Sequence, residues 1–272
     1  MAQKDLKDKV VVITGASKGI GFSTAKAFAE RGANVVMLAR GKDRLMEAAK
    51  EVGPRATPIV CDIAKPDDVR AAFAEVDKKF GRLDVLANVC GMAILRKIDE
   101  LTDQDIYDSF ATNLFGMIYT TREAIPRMKA VGSGDIINFS SESTMFPYPF
   151  LGMYATSKAA VEMFSLCSIK ELRQHGIRVT SLVCGATATE FASGWDPNEA
   201  LRFITEAAAS GELAQSGADK MQDPDDVADV VVYIATRPEG QILDVIHVRS
   251  YGVGDTSKSV EQHQAIADAH NK

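Results

Sequence analysis

The sequence predicts an α/β protein: a doubly wound parallel sheet forming a single domain, with a small helical lid. Three observations carry this. Short β-branched runs such as Val10–Ile13 are apolar at every position, as expected of strands buried on both faces. These runs alternate with stretches that are apolar at helical spacing. A glycine-rich turn, Thr14-Gly-Ala-Ser-Lys-Gly-Ile-Gly21, joins the first run to the first helical stretch.

Taken in order, Val10–Ile13 is the first strand, and the helix that follows the glycine turn stops at Gly32. Asn34–Ala39 is the second strand and Asp43–Val52 a short amphipathic helix. Thr57–Cys61 is the third strand, ending at Asp62. Pro66–Phe80 reads as a helix with Asp67 and Asp68 in its first turn, where the dipole favours acids. Leu83–Ala87 is a fourth strand. Thr102–Met128 is helical almost throughout, with Thr102 as N-cap. Asp135–Phe139 is a fifth strand, Gly152–His175 a long helix closed by Gly176, and Arg178–Val183 a sixth strand. Asp223 caps a helix with Pro224 at its first position. Val245–Val248 is a last strand. The expected organisation is a domain over residues 1–250, with a lid near 190–222 where strand signal is weakest, and a polar tail over 251–272.

Composition narrows the function classes. Lys and Arg total 31 against 37 Asp and Glu, a net charge of −6 without a basic block, which argues against nucleic acid. No apolar run reaches the ~18 residues a membrane span needs. The segment MAQKDLKDK lacks the apolar core of a signal peptide, so a cytoplasmic location is expected. Cys61, Cys90, Cys167 and Cys184 are widely separated, without a C-x-x-C pair, so no metal site is expected. The four histidines have no spacing that suggests a metal or a triad.

Two features carry chemistry. Gly15, Gly19 and Gly21 lie between a strand and a helix, where glycines let the backbone approach a pyrophosphate at the helix N-terminus. Tyr154 and Lys158 are four apart and share one face of the long helix. An ammonium one turn from a phenol favours the phenolate, a device for moving a proton near neutral pH. Adjacent Ser140 and Ser141 lie on an extended segment, so only one can face the same site.

In these motifs the chain resembles the short-chain dehydrogenase/reductase family, whose fold is Rossmann-like. TGASKGIG is similar to the family's T-G-x-x-x-G-x-G, and Asn88-Val-Cys-Gly91 to its N-N-A-G, with Val89 and Cys90 as departures. Tyr154-Ala-Thr-Ser-Lys158 is its Y-x-x-x-K, and Ser141, at the family's spacing before the tyrosine, matches its catalytic serine. Asn113 falls where the family has the asparagine of its fourth helix. Cys184-Gly185-Ala-Thr-Ala-Thr189 corresponds to P-G-x-x-x-T, with cysteine for proline.

The resemblance implies a catalytic set of Asn113, Ser141, Tyr154 and Lys158. Tyr154 would be the acid/base, Lys158 would lower its pKa and hold the nicotinamide ribose, Ser141 would place the substrate oxygen, and Asn113 would hold a relay water. Implied cofactor contacts are Gly15, Ser17, Lys18, Gly19, Ile20 and Gly21 in the loop, Arg40, Asp62, Ile63, Asn88, Gly91, Tyr154, Lys158, Gly185, Thr187 and Thr189. At the end of the second strand, Ala39 stands where an acid would accept the ribose 2′-OH of NAD. With Arg40 and Lys18 nearby, NADP(H) is the expected cofactor. The substrate class implied is a carbonyl compound or secondary alcohol. The aromatics of Met145–Leu151, with Met92, Ile94, Phe191 and Trp195, would make its pocket apolar. The family further implies a homodimer or homotetramer paired through the helices near 102–130 and 152–175. The competing reading is a non-catalytic NADP(H)-binding sensor or scaffold; the intact Asn113, Ser141, Tyr154 and Lys158 weigh against it.

Overall fold

A computed structural model describes residues 4–211, 220–250 and 257–270 of the chain. Seven parallel strands form one sheet in the order β3-β2-β1-β4-β5-β6-β7. They are β1 Val10–Thr14, β2 Asn34–Ala39, β3 Ala56–Val60, β4 Val85–Asn88, β5 Gly134–Ser141, β6 Ile177–Cys184 and β7 Val245–Val248. The helices are α1 Gly19–Glu30, α2 Lys42–Val52, α3 Pro66–Phe80, α4 Asp103–Phe110, α5 Gly116–Val131, α6 Gly152–Leu172, α7 Pro197–Ser210, α8 Pro224–Thr236 and α9 Ser257–His270.

The continuous apolar runs are explained by the two layers of helices. Val11 and Ile13 of β1, with Val35 and Met37 of β2, pack against Phe28 of α1, Leu45 of α2 and Val231 of α8. Val10, Val12, Val36 and Leu38, alternating with them, pack on the other face against Phe73 of α3 and Met128 of α5. Side chains of a strand alternate in direction, so both faces must be apolar when both are covered.

The strand order reverses between β1 and β4, where Thr14 lies in register with Asn88. A crevice at such a switch point opens beyond the carboxyl ends of the strands, the usual place for a ligand in this architecture. The expected site residues cluster there because their strands end there.

The long helical stretch after Thr102 is interrupted. Thr102 caps α4 with a full capping box to Asp105, and residues Ala111–Phe115 then form a π turn before α5. The tail region also has structure: within 251–272, α9 packs on α7, with Ala267 buried and Val260 against the cluster around Phe203. Residues 212–219 of the expected lid, and 251–256 and 271–272 of the expected tail, lie outside the described residues.

One buried group is costly. Arg237, at the end of α8, is 1% exposed, and its three guanidinium nitrogens have no hydrogen-bond partner among the described residues. Burial and the neighbouring Arg178, itself bonded to Asp135 at 2.6 Å, lower its pKa. An unpaired buried charge destabilises, and an apolar replacement of similar volume removes the penalty. Arg237→Met is therefore expected to gain about 1–4 kcal/mol, measured as a higher Tm in thermal unfolding; a lower Tm would show that the guanidinium is productively bound.

Candidate active site

The glycine loop is shaped by close approach. Gly15 and Gly19 have positive φ (69° and 52°), which glycine adopts without strain. At Gly21 a Cβ would lie 2.3 Å from the carbonyl oxygen of Gly15, so no other residue fits. α1 then begins with no side-chain cap at Lys18 and no acid in its first turn. Its free N–H groups and positive dipole end are left for an external anion. Thr14 Oγ1 accepts from Cys90 N at 3.1 Å, tying β1 to the loop after β4. Ser17 and Ile20 lie on either side of Lys18 and Gly19 in this turn.

Across the crevice, α6 carries Tyr154 and Lys158. Lys158 is 3% exposed, and its ammonium donates to Phe139 O at 2.8 Å. It lies 5.8 Å from the centroid of the Tyr154 ring. Gly91 makes room for it: a Cβ there would lie 3.2 Å from Lys158 Nζ and 3.4 Å from Asn113 Oδ1. Ser141, at the end of β5, faces Tyr154 closely enough to oppose the rise of its pKa, and its Oγ accepts from Ser143 N at 3.2 Å. Ser140 points the other way, donating to Glu162 Oε1 at 2.5 Å. Strand alternation thus separates the two serines, with Ser141 on the site side.

The electrostatics differ from the simple expectation of a lysine lowering a tyrosine. Burial pushes Tyr154 up to about 12, with the neighbouring Ser141 hydroxyl opposing. Burial likewise pulls Lys158 down to about 8. Desolvation disfavours both charged forms, so each group moves toward neutrality.

Several expected ligands have their side chains engaged elsewhere. The Asn113 amide, in the π turn, accepts from Met92 N at 2.8 Å and donates to Met92 O and Ser157 Oγ. Its side chain therefore brackets the loop after β4, leaving only its main chain for a relay. Asn88 donates to Asn138 and Thr121 and accepts from Thr120, a buried network across β4, β5 and α5. Asp62 Oδ1 accepts from Ala64 N, and Ile63 is buried against Gly116 of α5. Arg40 is exposed just beyond β2.

After β6, Gly185 is held to Val248 O, and Thr187 donates to Gly185 O. Thr189 lies against Gly19, where a Cβ would be 3.2 Å away, and caps the turn Glu190–Ala192 by accepting from Phe191 N. The Cys184 thiol is pushed up to about 11 by burial, which keeps it protonated and unreactive at neutral pH.

Two contacts around the site have no signal in the sequence because they join distant segments. Glu142, next to Ser141, is buried and accepts from Ala186 N at 3.1 Å; its other oxygen faces Arg249 Nε at 3.4 Å. Burial raises its pKa. Glu190 pairs with Arg44 of α2. From Tyr154, a chain of aromatic rings runs through Phe191, Trp195 and Phe203 to Tyr148, with centroids 5.7–6.1 Å apart.

A doubly wound sheet with a glycine turn at its switch point and a Ser-Tyr-Lys cluster opposite defines a dinucleotide-fold oxidoreductase class. Comparison with known proteins agrees: the family model for short chain dehydrogenase matches residues 9–200, and the chain belongs to that family. An uncharacterized oxidoreductase of Staphylococcus saprophyticus is 31% identical over 250 residues, covering 90% of this chain and 98% of the relative. One from Staphylococcus haemolyticus is 30% identical over 246 residues, with the same coverage. Among solved structures, a 3-ketoacyl-(acyl-carrier-protein) reductase from Brucella melitensis complexed with NADH has a TM-score of 0.79 at 27% identity, covering 90% of this chain and 98% of that one. A short-chain type dehydrogenase/reductase from Mycobacterium marinum has a TM-score of 0.80 at 28% identity, covering 90% and 95%. No helix among the described residues is long and apolar enough to cross a membrane, and no group of metal-ligating side chains occurs among them.

Proposed function

We propose that the protein is an NADP(H)-dependent oxidoreductase that interconverts an apolar or aromatic ketone and its secondary alcohol. The observation that carries this is the placement of Ser141, Tyr154 and Lys158 across one crevice from the uncapped start of α1. The start of α1 fits a pyrophosphate, since the helix has no side-chain cap and no acid in its first turn to occupy its positive end. When bound, the nicotinamide supplies or accepts the hydride.

The chain's own residues handle the oxygen and the proton. Ser141 Oγ and the Tyr154 hydroxyl converge on the position of a substrate oxygen. In reduction Tyr154 donates its proton to that oxygen, and the Lys158 ammonium stabilises the phenolate that forms. The main-chain carbonyl of Asn113 would take part in returning a proton through water. Burial keeps Tyr154 in its protonated, proton-donating form. Ala39 in place of an acid, with Lys18 and Arg40 near it, supports NADP(H) over NAD(H). The aromatic chain beginning at Tyr154 supports an apolar substrate. The lid is assigned to Glu190–Ala192 and α7. Ile106 and Tyr107 of α4, with Met163 and Leu166 of α6, are exposed apolar side chains suited to pairing two copies.

The test is steady-state reduction of a panel of carbonyl compounds, followed by absorbance at 340 nm with NADPH and with NADH. Apolar ketones with NADPH are expected to be preferred; turnover confined to small charged acids, or better with NADH, would overturn those parts of the reading. The pH profile is a further expected result. Lys158 is charged below its pKa of about 8 and neutral above it. kcat/KM for reduction should therefore be level below about pH 7 and fall through an apparent pKa near 8.

A further inference from the structure

We propose that Arg44 and Glu190 form a clasp across the dinucleotide crevice, which must open for a cofactor to enter or leave and whose opening carries Phe191 off Tyr154. This rests on the reading that the crevice holds a dinucleotide.

Topology places the pair. Arg44 is in the first turn of α2, just beyond the end of β2, and Glu190 lies just beyond β6. In the sheet these strands stand on opposite sides of the β1/β4 switch point. A bond between their loops therefore spans the mouth of the crevice. The bond is bidentate, with Arg44 Nη1 donating to Glu190 Oε2 at 2.8 Å and Nη2 to Oε1. Lys18, on the glycine loop, adds a second hold by donating to Glu190 O at 3.2 Å and to Ser193 Oγ at 3.5 Å.

The turn gripped in this way moves as a unit. Ser193 donates to Glu190 O through both N and Oγ, and Thr189 Oγ1 accepts from Phe191 N. Phe191 is the residue whose ring lies 5.7 Å from that of Tyr154. The same short turn thus joins the cations at the crevice mouth to the cover over the catalytic tyrosine. A displaced Glu190 displaces that cover.

The clasp is built to open. The side chains of Arg44 and Glu190 are 49% and 52% exposed, so water and salt screen the pair. Its net contribution to stability is small, which suits a gate better than a structural strut.

The protein reports its own motion, because its one tryptophan, Trp195, lies 6.1 Å from Phe191. In the full-length protein, release of NADPH and of NADH is followed by stopped-flow nicotinamide fluorescence. Glu190→Gln and Arg44→Ala should each raise koff about two- to fivefold, equally for both cofactors, with kon rising as well. The reversed pair, Arg44→Glu with Glu190→Arg, should restore the slow rates. Without cofactor, Trp195 emission of the wild type should change as salt is added, and that of Glu190→Gln should not. Unchanged rates in both single variants would overturn the clasp while leaving the proposed function intact. Loss of NADPH binding alone in Arg44→Ala would also overturn it, by making Arg44 a phosphate ligand. A wild type that binds neither cofactor would sink both readings.

Discussion

Tyr154→Phe is expected to lose about two to four orders of magnitude in kcat while binding NADPH with nearly unchanged Kd. The phenol ring packs on Phe191 and under the Lys158 ammonium, and phenylalanine keeps both contacts. The hydroxyl that faces Ser141 is what is lost. The fold is spared because phenylalanine keeps the packing of the ring. Titration by nicotinamide fluorescence, with turnover measured on the same preparation, separates the two effects. Retained turnover would remove Tyr154 from the chemistry, whereas a joint loss of binding and turnover would make its role structural.

Lys158→Met is expected to abolish turnover and to make the protein more stable at neutral pH. Burial lowers the pKa of Lys158 from 10.5 to about 8 in the folded chain. Below pH 8 both folded and unfolded chains carry the proton, and the folded state bears the full cost of a buried charge. Between 8 and 10.5 the unfolded chain keeps a proton that the folded chain has lost, so wild-type stability climbs with pH. Above 10.5 the cost is gone. The difference in pKa corresponds to about 3 kcal/mol, less what is lost with the bond to Phe139 O. Methionine should thus raise Tm most below pH 8, with the gain fading toward pH 10.5. Thermal unfolding of both proteins at pH 7 and pH 10 reads this directly, and a lower Tm for the variant at pH 7 would contradict it. Stability given up at Lys158 places a charge where the proposed chemistry needs one.

Both arguments use residues whose type and spacing were legible in the chain, but the sign of the tuning was not. Tyr154 and Lys158 at four-residue spacing suggest a tyrosine with a lowered pKa. The folded site holds it high because burial penalises the phenolate, with Cys184 and Glu142 adding to the rise and Ser141 opposing it. Burial depends on everything packed around a group, and a local motif carries no measure of that. Asn88 and Asn113 show the same limit. Their positions are legible, yet whether each amide faces a ligand or its own backbone depends on Asn138, Thr120 and Met92, brought in by other elements.

Arg44 with Glu190, and Glu142 with Arg249, lie further out of reach. The members of each pair are more than a hundred residues apart, and charged residues of this kind are common enough that no pattern selects them. The tail divides similarly. Its polar composition reads as surface, but the few apolar positions that dock α9 on α7 have meaning only once α7 offers a face.

By itself the sequence determined the alternation of strands and helices, the two buried faces of the sheet and the glycine turn at the first strand's end. It also set the order of the Ser-Tyr-Lys residues. These follow from local periodicity and from backbone freedom at glycine, which are properties of neighbours in the chain. The tertiary structure decided which serine faces the crevice, how far burial moves the tyrosine and the lysine, and which cation meets Glu190 across the cleft. Those depend on desolvation and on contacts between distant segments, and both exist only after the chain has closed on itself.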